Sequence, residues 1–159
     1  MDDIAIVRAI HVISVVIWIG GVAMVTTVVL PAVRRLDTAA KRVALFEAVE
    51  GRFVWQARIA TLLVAASGFY MVDRLDLWAR FRNVQFWWMH AMVLVWLVFT
   101  IILFVGEPLV MRARKRRGVM SAPDVNAPRM QRLHWVLLVL SVITVMAAVA
   151  GSHGMRLAP

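Results

Sequence analysis

The chain has no cysteine. That excludes disulfides, thiolate metal sites, CxxC redox chemistry and covalent c-type haem attachment. Negative charge is also scarce, with nine Asp and Glu against 18 Lys and Arg and a formal net charge of +9. Charged residues of both signs amount to only 17%, below the roughly one quarter of a soluble domain, while hydrophobic residues reach 62%. In a soluble protein such a basic balance would point to nucleic acid. Here the basic residues sit in loops beside apolar blocks, so topology and anionic lipid account for them and no nucleic-acid partner is expected.

What is abundant is long apolar sequence. Four blocks stand out, at about residues 4–30, 53–72, 86–110 and 133–153. Each is close to the ~20 residues needed to cross ~30 Å of hydrocarbon as a helix. The runs are continuous and too long for period-2 strands, and helices satisfy their own backbone in lipid. The expected fold is all-α, an integral membrane four-helix bundle forming one domain over residues 1–159. The start "MDD" is acidic, unlike the basic n-region of a signal peptide, so the first block is expected to be retained. Pro31 is expected to stop the first helix, and Pro108 lies near the end of the third. Between the first two blocks, "RRLDTAAKRVALFEAVEGR" reads as a short helix capped by Asp37 or Thr38 and ended by Gly51. It either lies on the membrane surface or extends the neighbouring helices. The segment "MRARKRRGVMSAPDVNAPRMQR" is basic and then rich in turn formers.

The loops joining helices 1–2 and 3–4 carry twelve Lys and Arg, and the opposite side carries five. The positive-inside rule then places both termini outside and the two basic loops in the cytoplasm of a bacterial-type inner membrane. Trp78, Trp87 and Trp88 at the outer edge, with Trp55 and Trp135 at the inner edge, read as an aromatic belt.

With this topology, His11 on helix 1, His90 on helix 3 and His153 at the end of helix 4 share the outer half of the membrane. His134 lies 19 residues before His153, ~28 Å away along a helix. A polar side chain in lipid usually faces the bundle interior. For any one histidine, an interhelical hydrogen bond worth ~0.6–2 kcal/mol is an equal alternative. Three histidines at one depth favour a cofactor or metal held between helices.

Two imidazoles on facing helices can ligate haem iron axially. A haem also needs small neighbours, and Gly20, Gly21, Ser67, Gly68, Gly151, Ser152 and Gly154 are candidates. Close helix packing explains the same residues equally well. Without CxxCH the haem would be non-covalent, haem b. Arg8, Arg74, Arg80 and Arg82 are candidate partners for its propionates. Copper, held by His11, His90, His153 and methionines such as Met89, Met92, Met71 and Met155, is the competing metal. On the inner side Arg58, Glu107 and His134 form a possible polar site, with Gln56 nearby. A structural Arg58–Glu107 ion pair is favoured there over a proton or quinone headgroup site.

The segment "AIHVISVVIWIGGVAMVTTVVLPAVRR" resembles the first helix of copper-resistance protein D-like membrane proteins, and more loosely the protoporphyrinogen oxidase J family. His11 is followed two turns later by Trp18 on the same face, then by Gly20 and Gly21. The likeness continues through "FVWQARIATLLVAASGFYMV", "FWWMHAMVLVWLVFTIILFVGEP" and "HWVLLVLSVITVMAAVAGSHG". It implies a four-helix membrane bundle, haem b in some relatives, and roles in copper handling or haem biosynthesis. His90 stands where the oxidase family tends to show a lysine, which counts against oxidase activity.

Three functions follow as expectations. The first is a haem b membrane protein carrying electrons, with an oxidoreductase as one form of that role and with His11 and one of His90 and His153 as axial ligands. Trp18, Gly21 and Gly68 would border its cofactor, and quinone or a periplasmic carrier would be its partner. The second is copper handling. The third is a non-catalytic accessory subunit, as a homo-oligomer or within a membrane complex.

Overall fold

The computed structural model describes residues 2–109, 112 and 128–154. The basic run at 114–117, Met155 and Arg156 lie outside the described residues. Among those described, the chain is all-helical with no strand. Helix α1 (Asp2–Met24) passes through a π turn (Val25–Val29) into α2 (Leu30–Arg34). Helix α3 runs from Ala39 to Arg74 (Ala39–Arg74). Two 3-10 turns (Leu77–Arg82 and Val84–Phe86) lead to α4 (Trp87–Ile101), which enters a second π turn (Ile102–Gly106). The last helix is α5 (Pro128–Ser152).

Three helical stretches, Asp3–Arg34, Val84–Leu109 and Gln131–Ser152, are long and apolar enough to cross a membrane. The chain therefore has the character of a membrane protein. The remaining expected span, residues 53–72, lies within α3, where Gln56, Arg58, Ser67 and Tyr70 dilute the apolar sequence and keep it out of that set.

The prolines do not end their helices. Pro31 was expected to stop the first, yet helix continues to Arg34. Each of Pro31 and Pro108 comes two residues after a π turn, Val25–Val29 and Ile102–Gly106. In these turns the amides of Leu30 and Glu107 reach back five residues, to the carbonyls of Val25 and Ile102. The widened turn accommodates a ring that lacks N–H and would otherwise clash with the carbonyl four residues earlier.

The short capped helix is likewise part of something longer. Thr38 is the cap, extended at φ −112° and ψ 144°, its hydroxyl accepting from the Lys41 amide. Gly51 does not end the helix, which runs on to Arg74. Glycine within a helix costs only ~1 kcal/mol relative to alanine. Packing outweighs that, because Phe46 is buried against Val25, Leu30 and Val33, and Phe53 packs on the same cluster. With 36 residues, α3 is ~54 Å long and exceeds the ~30 Å apolar core.

α1 packs most extensively on α3, α4 on α5, α3 also on α4, and α1 also on α5. Trp18, Val22, Ala60, Val64, Phe99 and Leu138, drawn from all four long helices, form the central core. Trp18 and Phe99 meet edge to face at 4.9 Å. Small hydroxyls are buried around them: Ser14, Thr26, Thr61, Ser67, Ser141 and Thr144. Thr26, Thr61, Ser67 and Ser141 donate to the carbonyls of Val22, Ala57, Leu63 and Leu137. Their hydrogens are satisfied within the helix, which lets helices approach closely without unpaired donors. Large apolar side chains point outward instead, as lipid permits, among them Val16, Ile59, Leu62, Leu94 and Met146.

Candidate functional site

Side-chain contacts show which helix ends lie together. The start of α1 meets the end of α3, where Asp3 Oδ2 accepts from the Tyr70 hydroxyl at 3.1 Å and from Arg74 at 3.4 Å. The start of α4 meets the end of α5, where Trp88 covers Gly151. The short turn after α3 joins these two pairs at one end of the molecule. His11, His90 and His153 occupy that histidine end, and His134 lies half-buried toward the other.

His11 is held against α3. Its Nδ1 lies 2.9 Å from Ser67 Oγ, and that hydroxyl donates to the Leu63 carbonyl at 2.5 Å. A hydroxyl has one hydrogen, so with Leu63 receiving it, Nδ1–H is the donor to Ser67. The neutral imidazole then carries its lone pair on Nε2. Gly68 makes room for the ring, since a Cβ there would stand 3.3 Å from His11 Cε1.

The other two histidines have local partners. His90 is exposed in the first turn of α4, edge to face with Phe81 at 5.3 Å. His153 is exposed beyond α5, and its Nδ1 donates to the Val149 carbonyl at 2.8 Å. Among the described residues no three His, Asp or Glu side chains are grouped to hold a metal ion. The structure thus puts the three imidazoles at one end without bringing them together.

The other residues singled out for the cofactor are placed as follows. Trp18 shares its helix with His11 and is 4% exposed, and its Nε1 has no hydrogen-bond partner among the described residues. A Cβ on Gly21 would meet the Phe53 ring at 2.5 Å, and one on Gly151 would meet Trp88 at 2.7 Å. Gly21, Gly68 and Gly151 therefore each receive a ring from a neighbouring helix. Gly20 has open space beside it.

At the opposite end Arg58 and Glu107 meet at 2.5 Å. Arg58 Nε and Nη2 also donate to the Leu103 carbonyl, at 3.2 and 3.0 Å. The Trp55 and Phe104 rings lie 6.0 and 5.6 Å from the guanidinium carbon. Leu103 belongs to the π turn, so the arginine braces the irregular part of the Val84–Leu109 stretch. Nearby, Arg34 Nη1 donates to Gln131 Oε1, joining α2 to α5 beside an open groove. Single-sequence periodicity gave no sign of Leu103, Gln131, Phe81 or Asp3 as partners. Ser67 was visible only as a small residue.

No family model, curated protein or solved structure matches the chain.

Proposed function

We propose that the chain is a transmembrane four-helix bundle of a bacterial-type inner membrane, with both termini outside, that binds haem b through His11. α3 crosses with the rest in this reading, because it packs along α1 and presents Ile59, Leu62, Leu63 and Phe69 outward. Likeness to copper-resistance protein D-like proteins, and more loosely to the protoporphyrinogen oxidase J family, belongs to the same proposal.

The observation that supports haem binding is His11 Nδ1 at 2.9 Å from Ser67 Oγ, which itself bonds the Leu63 carbonyl and so favours Nδ1–H as the donor. Histidines that ligate metals characteristically donate their other ring N–H to a fixed acceptor, which sets tautomer and orientation. His11 meets that requirement with Nε2 as the ligating atom. His90 or His153, both exposed at the same end, would be the second residue to hold the haem. Haem supplies one-electron redox chemistry; Ser67 keeps the Nδ1 proton in place, and the apolar span excludes water around the ring. Quinone or a periplasmic carrier would exchange the electron.

Purification in detergent from haem-replete cells tests this. The expected result is a Soret band with about one equivalent of haem iron, lost in His11→Ala. A colourless preparation, or an unchanged spectrum in His11→Ala, overturns it. Copper without haem iron would instead establish the copper-handling alternative.

A second reading, a non-catalytic accessory subunit or homo-oligomer, is favoured by the filled glycines and by the His153 bond to its own helix. It predicts that His11→Ala, His90→Ala and His153→Ala change stability alone.

A further inference from the structure

The open groove at the arginine end is lined by Arg34, Gln131, Arg132, Trp135 and Val136. We propose that it is a binding site for the phosphodiester headgroup of an anionic membrane lipid. The proposal rests on the membrane character of the chain and not on haem.

The order of the lining residues along α5 carries the argument. Gln131 and Arg132 lie near the start of the helix, and Trp135 and Val136 lie one turn further into the span. Cation and amide thus stand at the level of a headgroup, and indole and aliphatic walls at the level of glycerol and the first acyl carbons. Trp135 and Val136 are 44% and 54% exposed, so this wall is open sideways to lipid. Among the described residues that line the groove, two carry guanidinium groups and none carries a carboxylate. Basic pockets between spans recognise anionic headgroups in this way. The start of α5 adds the positive end of a 25-residue helix on the same side. Arg34 is already bridged to Gln131 across α2 and α5, so a phosphate seated there would tie two helices together.

The test uses the full chain in detergent, titrated with a phosphatidylglycerol, a phosphatidylcholine with the same acyl chains, and inorganic phosphate. Native mass spectrometry should retain the anionic lipid, and the melting temperature should rise with it alone. Arg132→Gln should weaken its apparent affinity about fivefold, corresponding to ~1 kcal/mol per basic residue near the surface. Arg132→Lys should keep most of it. Arg52→Gln, an exposed cation outside the groove, should leave it unchanged. Equal response to both lipids, equal loss in Arg52→Gln, or full competition by inorganic phosphate each overturns the proposal. If Arg132→Gln does not fold, loss of the lipid adduct from Arg132→Lys at raised salt decides the matter: retention there at full affinity overturns it.

Discussion

The histidine end and the arginine end solve the same problem with different numbers of partners. At the first, an imidazole inside an apolar helix meets one side-chain partner, the Ser67 hydroxyl. At the second, a guanidinium has a carboxylate, a backbone carbonyl and two aromatic rings around it. The difference follows charge. A neutral polar group in lipid is worth one modest hydrogen bond, whereas an ion must be compensated from several directions. The saturated end is therefore best understood as structure. The sparsely held end sets an imidazole against a hydroxyl and a glycine, and the proposed ligand chemistry belongs there.

The comparison breaks most readily at the arginine. Glu107→Ala removes the counter-charge of Arg58 and should destabilise by about 2–3 kcal/mol, somewhat under the range for a fully buried pair because about a fifth of each side chain is accessible. Thermal unfolding in detergent measures this. The double variant Arg58→Met, Glu107→Leu should recover most of the loss. If Glu107→Ala melts with the parent, the pair is a solvated surface contact and the contrast between the ends fails.

The packed glycines come next. Gly21→Ala and Gly151→Ala force the Phe53 and Trp88 rings to move and should cost about 1–3 kcal/mol each. Gly20→Ala, with nothing within 4 Å, should stabilise by up to ~1 kcal/mol. Equal effects at Gly20 and Gly21 would show that Phe53 does not sit on α1 as described.

The apolar blocks announced the helices because lipid demands long uninterrupted spans, and that pattern survives in a single sequence. Their ends were less legible. Pro31 reads as a stop, but the π turn before it lies in backbone geometry that "VTTVV" does not advertise. Gly51 reads as an end until Phe46 and Phe53 are seen packed against the end of α1 and α2. Which histidines share an end of the molecule was readable, because helix rise places a residue along the helix axis. Facing was not. Whether His11 turns toward α3 or toward His90 depends on helix rotation, and periodicity is silent on that when a helix is apolar all round. Gly68 could equally have admitted a haem or an imidazole, and size alone does not choose between them.

The smallest expected effect is also the sharpest probe of the histidine end. Ser67→Ala removes one interhelical hydrogen bond and should destabilise by only about 0.6 kcal/mol. Its informative readout is the ring. With the Ser67 hydroxyl committed to Leu63, the parent protein should show His11 protonated at Nδ1 in nitrogen-15 spectra of labelled protein, with His11→Gln giving the assignment. Ser67→Ala should release that preference and let the Nε2–H tautomer appear. Loss of haem from Ser67→Ala at unchanged melting temperature would tie the hydroxyl to ligation. A parent ring protonated at Nε2 would leave that nitrogen without a lone pair and remove the physical ground for His11 as a ligand, while the arginine end stood unaffected.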